Sequence, residues 1–314
     1  MPKKSSILIV GTGYMGREYA RVLKAQGVNF IVVGRSQKSV KLFKTETEVN
    51  AVSGGIRRWL KSNPPPSKAI VAVTEDQLGI VTRELINAGC KKILVEKPGG
   101  FNAKEILKIS KEAKKMKTTV YIGYNRRFYA SVQKALEIIR KDGGVKSFNF
   151  DFTERSYIVE KLKQSLKIKK EWFLHNSTHV IDLAFFLGGW PNKMSSYENG
   201  GLDWHPTSSI YSGAGVSSSG ALFSYHANWE SAGRWSIEIM TPKNKLIFRP
   251  LEKLQIQKYG SMSVEELLLD DKLDIEFKPG LYLQVKAFLQ NKIKLLTIRE
   301  QAKKLKYYSI IKTR

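Results

Sequence analysis

A chain of 314 residues is long enough for two domains, each with its own core. Hydrophobic residues make up 42% of it, as in a globular protein, and no segment is long and apolar enough to cross a bilayer, so no membrane partner is expected. A net charge of +25 admits nucleic acid or an anionic substrate, but the basic residues are scattered, with no helix-turn-helix, zinc-finger or stacking-aromatic pattern beside them. The charge is read as solvated helix faces, and no nucleic-acid partner is expected.

Met1-Pro2-Lys3-Lys4-Ser5-Ser6 leads into a strand-like run without a small-residue cleavage site, so no signal peptide is expected. Residues 6–10 form a short apolar strand ending at Gly11. Helical spacing follows over 17–26, with Tyr19, Ala20, Val22 and Leu23 apolar and Gly27 as the stop. Strands are expected at 29–33, at 69–73 after Pro64-Pro65-Pro66, at 92–95 before Glu96-Lys97-Pro98, and at 118–123. Helices are expected at 77–88, capped by Gly89, and at 102–115. Short apolar strands alternating with helices imply a doubly wound parallel sheet, an α/β Rossmann domain over 1–124. Cys90 is the only cysteine, which excludes an intrachain disulfide and makes the cytoplasm the expected compartment.

The remainder, 125–314, reads differently, with a hinge near 123–128. A helix over 130–141 ends at Asp142-Gly143-Gly144, and 145–154 alternates like an antiparallel strand. A helix over 173–187 stops at Gly188-Gly189, with Pro191 beyond. Strands are expected at 210–211, 221–229, 235–240 and 245–248, with the small polar stretch 212–220 as a hairpin connection. Helices over 282–290 and 298–307 close the chain.

Gly11-Thr12-Gly13-Tyr14-Met15-Gly16 follows a strand and opens a helix, the context a dinucleotide-binding turn requires. Gly11 allows the tight turn, Gly13 lets the backbone approach a pyrophosphate, and Gly16 allows close helix packing. The diphosphate would rest on unpaired N–H groups at the positive end of the helix dipole. Tyr14, Met15 and Thr74, after the third strand, join the cofactor-binding set. An acid at the end of the second strand would favour NAD, but Gly34-Arg35-Ser36 stands there. Arg35 can pair with a 2′-phosphate and Ser36 can add a hydrogen bond, so NADP is favoured, with NAD as the alternative. A hydrogen bond to a charged group contributes roughly 1.5–3 kcal/mol.

The glycine turn, Glu96-Lys97-Pro98, Gly123-Tyr124-Asn125-Arg126-Arg127-Phe128 and the helix carrying His175, His179 and Asp182 together resemble the Gfo/Idh/MocA oxidoreductases over nearly the whole chain. The resemblance implies a Rossmann domain followed by an α/β domain on an open, mostly antiparallel sheet. It also implies a homodimer or homotetramer and a small sugar-like substrate. On it, Glu96 and Lys97 join the cofactor site, and Lys97 is a catalytic residue that reaches the substrate hydroxyl. An ammonium there can stabilise negative charge developing on oxygen during hydride transfer. His179 takes the acid/base position, and Asn125, Arg126, Trp172, His175 and His179 shape the substrate pocket.

This chain departs from the family pattern at His175, where the resemblance leads one to expect Asp. An Asp only accepts hydrogen bonds, whereas a histidine donates or accepts. Positions 175, 179 and 182 lie on one helical face, which raises a His-His-Asp metal site as a rival to the simpler reading without metal. Lys161, Lys163, Lys167, Lys169 and Lys170 form a basic stretch that could attract an acidic or nucleotide-linked sugar, or simply be solvated. The expected activity is reversible hydride transfer at a carbinol or keto carbon. The rivals are a non-catalytic dinucleotide sensor of the same fold and a redox-assisted glycosidase holding NAD.

Overall fold

The computed structural model describes residues 7–290 and 295–312. The apolar runs of the first part become β1 (Ile7–Val10), β2 (Phe30–Val33), β3 (Lys68–Val71), β4 (Lys92–Glu96) and β5 (Thr119–Gly123). They pair in parallel in the order β2-β1-β3-β4-β5. Leu8, Ile9, Ile70, Val71, Leu94 and Val95 are wholly buried at their centre, which is why these strands read as continuous apolar runs. Between them lie α1 (Tyr14–Ala25), α2 (Gln37–Thr47), α3 (Gly55–Ser62), α4 (Glu75–Asn87) and α5 (Ala103–Lys115).

Two differences from the sequence reading have a physical cause. α1 begins at Tyr14, directly after the Gly13 cap; its first turn carries no periodic signal because Gly16 is the only residue it buries. α2 and α3 were not expected at all. Each buries only two side chains, Phe43 and Thr47 in one and Ile56 and Trp59 in the other. α2 is started instead by the Ser36 hydroxyl, which accepts from the Ser39 N–H at 3.2 Å.

The next elements are α6 (Ala130–Lys141), β6 (Ser147–Asp151), α7 (Ser156–Lys161), α8 (Leu166–Lys170), α9 (Thr178–Gly188), and β7 (Pro191–Asn199) through β8 (Ile210–Ser217). β9 (Leu222–Asn228), β10 (Ser236–Met240), β11 (Asn244–Phe248), β12 (Gln255–Lys258), β13 (Glu265–Glu266) and α10 (Lys272–Glu276) follow. The strands form one eight-stranded sheet, β13-β12-β11-β10-β6-β9-β8-β7, antiparallel except where β6 meets β9. Phe148 stacks on Phe223 and Phe150 on Tyr225 across that parallel pair, and the edge of Phe185 from α9 meets Phe148, Phe150 and Phe223.

The stretch 212–220 is not simply a connection. The chain stays in β8 through Ser217, and only 218–221 turn. Its small residues have a packing reason: a Cβ on Gly213 would run into the Tyr225 ring, and one on Gly215 into Phe223. β7 was also missed, because it is polar and lies at the sheet edge.

The described chain divides into two compact units, and the division is not the contiguous one expected. Residues up to Asn125 cluster with Ile275–Lys304, while Arg126–Asp274 cluster with Leu305 onward. So α11 (Leu281–Gln290) and the start of α12 (Ile298–Ile311) belong to the parallel-sheet unit. The reason lies in unsatisfied groups of that unit. Ile122 N–H on the edge strand β5 donates to the Leu296 carbonyl at 2.8 Å, Lys68 Nζ to Leu289 at 2.9 Å, and Gln26 Nε2 to Tyr282 at 3.0 Å.

Candidate active site

In the parallel-sheet unit the glycine turn works as its chemistry requires. Gly11 has φ +123°, in the left-handed region, and a Cβ there would meet the Ala72 carbonyl. A Cβ on Gly16 would meet the Gly11 carbonyl, so Gly16 lets the helix close on the turn itself. Gly13 faces open space within 4 Å, the room a pyrophosphate needs. A cavity of about 760 Å³ opens here, lined by the turn residues Gly11, Gly13, Tyr14 and Met15 and by Arg35, Ser36 and Thr74.

These residues stand at the carboxyl ends of successive parallel strands: the turn after β1, Arg35 and Ser36 after β2, Thr74 after β3, Lys97 after β4. Arg35 is exposed. Thr74 Oγ1 donates to Asp76 Oδ1 at 2.6 Å, and that bond, before any effect of Arg35, holds the Asp76 carboxyl below its usual range. The residues present fit a dinucleotide.

Glu96 accepts the Tyr19 hydroxyl at 2.6 Å. Burial pushes the Glu96 carboxyl up, while the Tyr19 bond and then the ammonium groups of Lys97 and Lys278 pull it down. Burial, followed by the Glu96 charge, drives the Tyr19 phenol well above its ordinary value. Asn125 Nδ2 donates to the Pro279 carbonyl at 2.9 Å, so its amide ties two segments of this unit together.

In the second unit, residues Phe173–Ser177 form a π turn before α9. The step from His175 to His179 therefore crosses a change of helical period, and the expectation that positions 175, 179 and 182 share one regular face does not hold. His179 is 7% exposed and lies 6.2 Å, ring to ring, from Trp235. Arg126 stands 4.9 Å over the same indole. His175 is buried, and Trp172 meets Trp204 edge-on at 6.2 Å. The buried Glu154 accepts from Asn176 Nδ2 at 2.9 Å and Ser177 Oγ at 2.7 Å, fixing the backbone between the histidines.

Asp182 is held by Arg127 in a bidentate pair, Nε–Oδ2 and Nη2–Oδ1 both 2.7 Å. Among the described residues no group of three or more His, Cys, Asp or Glu is placed to hold a metal. Within the basic stretch, Lys169 is buried and its Nζ donates to the Glu160 carbonyl at 2.6 Å, so it is not part of a solvated patch.

Residues 5–124 match the description "oxidoreductase family, NAD-binding Rossmann fold" of the Gfo/Idh/MocA proteins. Over those residues the chain is similar to the NAD-binding domain of that family. A search of curated proteins finds no match. Solved structures extend the likeness of fold across the whole length. An NAD-binding oxidoreductase from Klebsiella pneumoniae is 14% identical, with 99% of this chain and 96% of that one covered and a TM-score of 0.79. A UDP-N-acetylglucosamine 3-dehydrogenase from Acidithiobacillus ferrooxidans is 14% identical, covers 98% and 96%, and has a TM-score of 0.73. A levoglucosan dehydrogenase in complex with NADH and levoglucosan is 14% identical, covers 98% and 95%, and has a TM-score of 0.77.

The parallel-sheet unit also contains residues the sequence did not single out. Lys278 lies 5.2 Å over the Tyr14 ring of the glycine turn, and Gln284 joins Tyr19 behind Glu96. Sequence separation hid them: Gln284 lies 265 positions from Tyr19. In the second unit Trp235 was taken only as part of a strand, because no motif marks a lone indole.

Proposed function

We propose that the chain transfers hydride between NADP(H) and a hydroxyl or keto carbon of a sugar or nucleotide sugar. The observation that carries this is the alignment of the glycine turn, Arg35, Thr74 and Lys97 at the carboxyl ends of four neighbouring parallel strands. Ligands of open α/β sheets bind along that edge. The dinucleotide, when bound, supplies the hydride donor or acceptor.

The chain's own residues do the rest. Lys97 donates from its ammonium to the substrate oxygen and stabilises the negative charge that develops there. His179 takes the proton from the hydroxyl or returns it, since an imidazole nitrogen can accept or donate a proton. Arg126, Trp172, His175 and Asn125 shape the pocket, and His175 can donate to a substrate oxygen as well as accept. Arg35 with Ser36 favours the 2′-phosphate of NADP over the free hydroxyl of NAD. The surviving Lys97 and His179 favour catalysis over pure dinucleotide sensing.

Turnover of NADPH or NADP by the Lys97→Ala and His179→Ala variants, measured over a panel of sugars and nucleotide sugars, tests the assignment. Near-wild-type rates in both would sink it. We further propose that the protein is a homodimer or homotetramer joined through the bare face of the eight-stranded sheet. Asn149, Ser195, Tyr197, Ser224, His226 and Arg249 line a shallow polar basin there, and Tyr197 is 75% exposed. A monomer by light scattering at micromolar concentration would exclude it.

A further inference from the structure

Behind Lys97 lies a chain of polar groups that neither the glycine turn nor the proposed chemistry uses. Tyr19 on α1 is wholly buried, and so is Gln284 on α11. Gln284 Nε2 donates to the Tyr19 hydroxyl at 3.1 Å, and that hydroxyl donates its proton to Glu96 Oε1 at 2.6 Å. The directions are fixed, because an amide nitrogen only donates and the phenol has a single proton. A phenol meeting a carboxylate at this distance makes a charge-assisted bond, stronger than one between neutral groups. Burying a phenol is costly unless it is satisfied, and Tyr19 is satisfied on both sides, donating to Glu96, the residue before Lys97, and accepting from Gln284.

We propose that Tyr19 and Gln284 are positioning residues for Lys97: they hold the Glu96 carboxylate, and through it the Lys97 ammonium, in place. This rests on the role given to Lys97 above. The groups facing Glu96 are Tyr19 from α1, Lys97 from the end of β4 and Lys278 from the segment before α11. Burial is the largest influence on the Glu96 carboxyl and raises it, and the Tyr19 hydroxyl is the largest of the influences that oppose that rise. An ionised Glu96 favours the charged form of Lys97. Once Glu96 takes a proton, that support is gone and the Lys97 amine is freer to lose its own. The C-terminal segment thus acts on the lysine of a strand nearly two hundred residues earlier, across contacts inside one compact unit.

A second buried glutamine of the same segment provides the control. Gln301 Nε2 donates to the Pro98 carbonyl at 3.3 Å and to the Tyr124 hydroxyl at 3.1 Å, and does not bond the Tyr19–Glu96 pair. The experiment is trace acetylation of the full-length protein with acetic anhydride from pH 7 to pH 11. Lys97 is quantified by peptide mass spectrometry against exposed lysines such as Lys193. Only the uncharged amine reacts, so the yield at pH 7 reports how firmly the ammonium is held. Glu96→Gln should raise Lys97 acetylation at pH 7 by about tenfold, the low end of what an adjacent opposite charge supplies. Tyr19→Phe should raise it several-fold, and Gln284→Leu less, with the excess fading toward pH 11. Gln301→Leu should leave it unchanged.

The proposal is overturned if Tyr19→Phe or Glu96→Gln leaves Lys97 acetylation unaltered. It is equally overturned if Gln301→Leu raises the yield as much, since general loosening would then explain the change. An excess that persists undiminished at pH 11 would mean greater exposure, not altered charge, and overturns it too. The turnover of Lys97→Ala reports separately on whether Lys97 is catalytic at all, so the two failures are told apart.

Discussion

The two units each place a carboxylate beside a candidate site, and they hold it in opposite ways. Glu96 in the parallel-sheet unit is met at 2.6 Å by a neutral phenol, with ammonium groups acting through space. Asp182 in the second unit is clamped by two nitrogens, Nε and Nη2, of a guanidinium whose side chain is 10% exposed against 1% for its own. A hydroxyl leaves the protonation state open to its surroundings, whereas a guanidinium, always charged, does not. The first arrangement suits a group that influences chemistry, and the second suits a fixed strut between the 125–128 turn and α9.

The largest expected effect follows from that strut. Arg127→Ala strands a buried aspartate and should cost about 3–5 kcal/mol in chemical denaturation, whereas Asp182→Asn with Arg127→Met together should cost less. Equal losses would show that the pair's charges are not what matters. A second buried group in the same unit gives a pH signature. His205 is wholly buried, its Nδ1 meets the Ser208 carbonyl at 2.8 Å, and burial lowers its pKa to about 4. Its unfolded form takes up a proton near pH 6.5. Stability is therefore complete above that pH and falls as the pH drops from 6.5 toward 4. Relative to His205→Phe, the wild type should lose about 2–3 kcal/mol between pH 7.5 and 4.5.

The parallel-sheet unit offers two smaller tests. Arg35→Ala should weaken NADPH binding by roughly 1.5–3 kcal/mol, about one to two orders of magnitude, and leave NADH unaffected in fluorescence titration. Equal losses for both cofactors would remove Arg35 from 2′-phosphate recognition. Asn102 caps α5 by accepting the Glu105 N–H at 3.0 Å, while Glu105 accepts the Phe101 N–H at 2.6 Å. Asn102→Ala should cost about 1 kcal/mol in thermal denaturation without touching cofactor binding.

The same contrast governs what was legible beforehand. The strands of the parallel sheet, the glycine turn and the position of Lys97 at a strand end all rest on local pattern. Each could be read from a few adjacent residues. In the second unit the local pattern misled where tertiary packing took over. Gly213 and Gly215 looked like turn residues because they are small, but they are small to admit aromatic rings from β9. The histidine helix looked regular because sequence spacing does not register a π turn.

By itself the sequence determined the α/β class, the dinucleotide turn and the succession of functional groups along the first sheet. Turn geometry, helix dipoles and strand burial are properties of consecutive residues. Only the tertiary structure decided that 275–304 packs with the N-terminal unit, that Arg127 clamps Asp182, and that Tyr19 and Gln284 stand behind Glu96. Those pairings join residues 55 to 265 positions apart. No periodicity encodes them. They arise because buried polar groups must find partners wherever the folded chain brings a donor within reach.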